Sequence, residues 1–135
     1  MDGVAAIRSV LIADDELRLL VPEDDTSAGP RGLGASLPSI MLESVSTVDR
    51  NIPSPGASRH VHERVQVTVM ARNYPEQKAL LRAVKRAAAD QVNPEVAGIA
   101  DVTIHTAGAG PDLMAEEASI WIGSQDFITT YTESR

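Results

Sequence analysis

Cysteine is absent from the sequence, which excludes disulfides, thiolate zinc sites and a cysteine nucleophile together. Aromatic residues are scarce, at 3%, so the chain lacks the ring platforms on which single-stranded nucleic acids stack. Cations are outnumbered, with 12 Lys and Arg against 19 Asp and Glu and a net charge of -7. That balance argues against phosphate-backbone binding as the main activity, because such binding rests on clustered Lys and Arg. The small basic run "RAVKRAA" reads as the solvated face of a helix. No apolar run reaches the length of a membrane span. The opening "MDGVAAIRSV" has neither the basic start nor the apolar core of a signal peptide, so a soluble protein made in a cytoplasm is expected.

What is present is a globular composition, 43% hydrophobic and carried mostly by Ala, Val, Ile and Leu. A chain of 135 residues reads as a single domain spanning residues 1–135, and at this size roughly 65–70% of the unfolded surface is buried on folding. Val4, Ile7, Leu11, Leu17 and Leu20 recur near helical spacing and predict a helix from about Asp2 to Leu20, ended by Pro22. "PEDDTSAGPRGLGASLP" reads as a loop. A first strand is expected over about Pro38 to Val48, where the faulty alternation between Met41 and Val45 implies a bulge or an edge position. A second Gly/Pro/Ser loop, "TVDRNIPSPGASRH", is too long for a tight hairpin turn.

The clearest element is "HVHERVQVTVMAR". Val61, Val65, Val67, Val69 and Ala71 share one face of a strand, and His60, His62, Arg64, Gln66 and Thr68 share the other. "NYPEQKALLRAVKRAAADQV" then switches to helical period: Asn73 or Tyr74 can cap, and Pro75 suits the first helical position. Strands over about Ile99 to Thr106 and Ala118 to Thr132 follow, with a flexible connector "AGAGPDLMAEE" between them and a bend at Gly123 to Asp126. The expected fold is α+β, with two helices packed on one face of a four-stranded antiparallel sheet in the order αββαββ.

Chemistry is thin. His60 and His62 with His105 are the residues that can hold a metal, but the first two open a strand beside a loop, where solvated histidines are ordinary. Asp24–Asp25 and Glu116–Glu117 are adjacent carboxylates in loops, without the burial and opposition that acid–base catalysis needs. "GPRGLGAS" lacks the Gly-Lys-Ser/Thr ending of a phosphate cradle. No catalytic, cofactor-binding or metal residue is assigned, and the chain reads as a non-enzyme. Trp121, Phe127 and Tyr131 lie on the strand parity opposite Ile120, Ile122 and Ile128. If the isoleucines face the helices, these aromatics face away from the core toward a partner; cover by the long loops is the open alternative.

Four stretches in this order resemble the phage tail-completion, or tail-terminator, family: "VAAIRSVLIADDELRLLV", "LPSIMLESVS", "ERVQVTVMARNYPEQKALLRAVKRAA" and "EEASIWIGSQDFITTYTE". The resemblance runs over nearly the whole chain. It implies a structural virion protein at the head-proximal end of the tail, assembled in the host cytoplasm, in a phage or a gene-transfer particle. Its partners would be further copies in a hexameric ring, the tail tube protein and the head–tail connector or stopper, with DNA only as passing cargo, no membrane and no cofactor. Thr47–Arg59 and Ala107–Glu116 would be the loops that reach the tube or the neck. Arg50, Arg59, Arg72, Trp121, Asp126, Phe127 and Tyr131 would contribute to subunit or tube contacts. The rival readings are another neck component, such as a head-completion, stopper or minor tail protein, and a small His-dependent metal or ligand-binding domain.

Overall fold

The computed structural model describes residues 2–29, 37–50, 58–92, 99–115 and 120–134. In chain order these form α1 (Asp2–Ile12), α2 (Asp15–Leu20), a 3₁₀ turn (Glu23–Asp25), β1 (Thr26–Ala28), β2 (Ser39–Arg50), β3 (Ser58–Ala71), α3 (Tyr74–Ala88), β4 (Gln91–Val92), β5 (Ile99–Ala109), β6 (Leu113–Ala115) and β7 (Ile120–Ser134). The strands lie in the order β1-β2-β3-β7-β5-β4, with β6 paired to the N-terminal end of β7. The class is α+β, and the four long strands β2, β3, β7 and β5 are antiparallel neighbours. The order αββαββ is too sparse, however. The first helix is two helices, and the short strands β1, β4 and β6 border the four.

Each difference has a local cause. The Asp14 carboxylate accepts the Leu17 N–H at 2.9 Å and so caps a fresh helix, splitting the single helix expected to run to Leu20. β1 and β6 span three residues each, too few to show a period. β1 also pairs in parallel with β2, a geometry for which no turn signal exists. The supposed loops shorten accordingly. Thr47 to Arg50 and Ser58 to Arg59 are strand, and the connector after Thr106 holds the end of β5 and all of β6. Residues 30–36, 51–57 and Glu116–Glu117 lie outside the described residues.

α1 and α3 lie on one face of the sheet. Val4, Ile7 and Leu11 from α1, and Leu80, Val84 and Ala88 from α3, close over Ile40, Leu42, Val61, Val65, Val67, Val69, Val102 and Ile104. The bulge foreseen in β2 falls between Ser44 and Ser46, leaving Val45 unpaired and more than half exposed. Gly123 does not bend β7, which runs unbroken. Instead it lets α3 approach: a Cβ there would stand 2.8 Å from Leu81 Cδ1 and 3.0 Å from Gln77 Nε2.

The face assigned to the aromatics is corrected. Phe127 pairs with Val65 and Tyr131 with Val61, so both share the helix-facing side of their valine partners and are buried at 0% and 2% exposure. Ile122 and Ile128 take the opposite face and are half-buried. The rings fill the space beneath the helices because the register of β7 against β3 sets which parity points inward.

One residue breaks the apolar alternation of β3 from within. Glu63 stands between Val61 and Val65 on the helix-facing side and is fully buried. Its Oε1 accepts the Tyr131 hydroxyl at 2.8 Å and the Gly3 N–H at 3.1 Å, from the first turn of α1. Burial pushes its pKa up, but the hydrogen bonds it accepts, those from Tyr131 and Gly3 among them, outweigh burial and hold it below its ordinary 4.5. Gly3 permits the approach, since a Cβ there would lie 2.8 Å from Glu63 Cδ. The positive end of a helix also favours an anion here.

Glu63→Gln retains the shape and removes the charge. It is expected to lower unfolding stability by about 1–3 kcal/mol at neutral pH, measured by denaturant titration. A folded pKa held below that of the unfolded chain makes the carboxylate's contribution complete above 4.5 and lost as pH falls through the folded value. The gap between the wild-type chain and Glu63→Gln is therefore expected to narrow as the titration is repeated at successively lower pH; a gap that stays constant would contradict the assignment.

Candidate protein–protein interface

The three histidines do not converge. His60 and His62 stand 6.1 Å apart, ring centre to ring centre, on the side of β3 away from the helices. His105 is on β5, beyond β7, with Nδ1 3.2 Å from Asp90 Oδ1. Among the described residues no three His, Cys, Asp or Glu side chains gather as metal ligands do.

A different cluster forms where β3 passes into α3. Asn73 Oδ1 accepts the Glu76 N–H at 2.9 Å, and Pro75 follows in the first turn. That cap fixes Tyr74 at the mouth of the helix, edge-on to Trp121 with ring centres 5.5 Å apart at 63°. Met114 lies across from Trp121, and Leu113 across from Ile122. Tyr74 and Met114, 41% and 45% exposed, lie on the side of Trp121 and show water a surface of ring and thioether, while Leu113, 55% exposed, shares the opposite sheet face with Ile122. Such surfaces are the anchors of protein interfaces.

The rim of the ledge is charged and internally satisfied. Asp112 accepts hydrogen bonds from the Tyr74 hydroxyl and Lys78 Nζ, both at 3.0 Å, and Lys78 Nζ stands 5.2 Å from the Tyr74 ring centre. The bond from Lys78, then that from Tyr74, holds the Asp112 carboxyl below its ordinary pKa, and the same bond to Asp112 raises that of Lys78. Arg72 binds Glu76 through its guanidinium at 2.8 Å and its N–H at 3.0 Å. The guanidinium bond lowers the Glu76 pKa and raises that of Arg72. The rim stays ionised at neutral pH with its charges already paired.

A second apolar patch lies at the other end of α3. Arg86, in the last turn of that helix, reaches Asp14 at 3.0 Å and also Glu16, holding α2 there. α2 presents Leu19 and Leu20 to solvent at 87% and 42% exposure. With 15 residues in α3 the two patches are separated by about 22 Å of helix axis.

Of the residues singled out from sequence, the structure brings Trp121 and Arg72 to the ledge. Phe127 and Tyr131 belong to the core. Asp126 receives Arg64 at 2.7 Å on the outer sheet face, and Arg59 reaches Asp49 at 3.2 Å and Glu133 at 3.9 Å. Arg50 ends β2 exposed. Tyr74 reads from sequence only as a cap, and Leu113 and Met114 sit in a strand too short to detect. Leu20, in line with Leu11 and Leu17 on a single helix, is turned toward solvent by the helix that starts afresh at Asp14.

The chain matches the family model described as "Tail completion protein gp17" over residues 5–130. It is similar in fold to a chain of the solved "Virion of native gene transfer agent (GTA) particle", at 19% identity and a TM-score of 0.71, covering 95% of this chain and 92% of that one. No curated protein matches it.

Because the sequence holds one Trp, the fluorescence of Trp121 reports on the ledge directly. Tyr74→Ala is expected to expose the indole and move its emission to longer wavelength, at a stability loss of about 0.5–1.5 kcal/mol read by denaturant titration. An unchanged spectrum would mean that the two rings do not cover one another.

Proposed function

We propose, since the chain belongs to the tail completion protein gp17 family, that it is the subunit of a ring capping the head-proximal end of a virion tail. In this reading the ring ends polymerisation of the tail tube and joins the tail to the head connector. The observation that carries it is the pair of unlike apolar patches at opposite ends of α3. A cap placed between two different bodies needs two different end surfaces, and this subunit has an aromatic ledge at one end and the Leu19–Leu20 pair at the other. α3 starts where β3 ends and runs back along the sheet to β4, which pairs with β5 level with Thr129 and Thr130. The patches thus lie at different heights along the strands, and in a ring whose axis follows the strands the ledge stands nearer one face and the leucine pair nearer the other.

The paired charges suit that role. Arg59, Arg72 and Asp126 are each ion-paired within the subunit, so their contribution to an interface is to exchange partners or to steer encounter. The structural, non-catalytic role rests on the family and on these surfaces. The same subunit serves a phage or a gene-transfer particle equally well.

The test is electron microscopy of particles from a strain lacking this gene, complemented by variants. Deletion is expected to yield overlong tails, or tails detached beside filled heads. Complementation with Tyr74→Ala/Met114→Ser should reproduce one of these defects and Leu19→Ser/Leu20→Ser the other, one for each patch. Normal tails on filled heads in the deletion strain would sink the proposal.

A further inference from the structure

We infer that neighbouring subunits of the ring are joined by their sheet edges, with β2 of one copy adding as a strand to β5 of the next; this rests on the ring reading. β1 covers β2 only from Ile40 to Leu42. From Ser44 to Arg50 every β2 residue is exposed, and among the described residues no strand lies on that side. Past the bulge, Ser46 to Arg50 pair regularly with Arg64 to His60, so their outward N–H and C=O groups form an open ladder. An edge of this kind is a template for another strand. The stretch "SVSTVDR" contains neither the Pro nor the Lys with which exposed edges are commonly blocked.

The occupant follows from the opposite edge of the same sheet. β4 covers β5 only at Thr103 and Ile104, and among the described residues no strand lies on that side of His105 to Ala109. The four long strands alternate in direction, so β2 and β5 run opposite ways. Rotation about an axis along the strands preserves their direction, and copies so related bring β2 to β5 antiparallel. The two edges are unlike, as a closed ring of heterologous contacts requires. Charge selects the register. Arg50 carries a cation at the end of the open β2 segment, and Asp90, its side chain 85% exposed, stands beside His105. Placing Arg50 across from His105 sets Asp49 opposite Thr106 and brings Val48 beside Ala107, the extra residue of a bulge in β5. Ala107, Gly108 and Ala109 are small enough to admit a close neighbour.

The absence of cysteine makes cross-linking free of background. The full chain carrying Val48→Cys and Ala107→Cys is equilibrated in a glutathione redox buffer and run on non-reducing gels, beside each single variant and native mass spectrometry. A ladder of multiples in the double variant, with each single variant remaining monomeric on the gel, is the expected result. Dimers from Val48→Cys alone would overturn it, because like edges would then be meeting. A ring seen by native mass with no ladder would overturn the edge pairing and leave the ring standing. Absence of any oligomer would remove the ring reading and this inference with it. Arg50→Glu is expected to reduce the ladder in the double-cysteine background, and an unchanged ladder would reject the register.

Discussion

A carboxylate with no access to water holds three elements of this fold to one another. Glu63 projects from β3 into the apolar layer and accepts hydrogen bonds from the Tyr131 hydroxyl on β7 and the Gly3 N–H in α1. A buried anion whose partners are lost is strongly destabilising, so each element is confined to the position that keeps its donor in place. A hydrophobic residue at 63 could pack as well without imposing that condition. The carboxylate specifies how β7 is registered against β3 and where α1 begins, and that register places Phe127 and Tyr131 beneath the helices.

With the helices fixed over one face, the rest of the surface is divided by default. α3 is anchored at its start by the Asn73 cap and at its end by Arg86, which reaches α2. Its two ends therefore carry two patches of different chemistry, one built of rings and rimmed with paired charge, the other of bare leucine. The sheet edges remain, each only partly covered by a short strand. Function in a subunit of this kind lies in what is left unpaired after folding. Among the described residues that surface comprises open backbone edges and apolar side chains, and no three His, Cys, Asp or Glu side chains gather as metal ligands do.

The alternation of β3 and the cap and proline that begin α3 were legible in the sequence, and the faulty alternation of β2 allowed for the bulge at Val45 or an edge position, because each follows from neighbours in the chain. The aromatic face was misjudged for a physical reason. Strand periodicity separates two parities of β7 without saying which is inward, and three isoleucines on one parity face three aromatics on the other. Glu63 passed unnoticed among valines because a charged residue in an apolar parity ordinarily marks the wet side. The ledge was half visible: Trp121 could be singled out, but Tyr74 and Met114 come from two other elements.

By itself the sequence determined the α+β class, the long strands, the helix after β3, the lack of thiol chemistry and the family resemblance. These properties are set by composition and by periods of two to four residues. The tertiary structure alone decided which face of β7 meets the helices, that a carboxylate sits inside, and that Tyr74, Trp121 and Met114 form one surface. Those outcomes depend on partners such as Gly3, Glu63 and Tyr131, which lie tens of residues apart and meet only after the sheet has chosen its register.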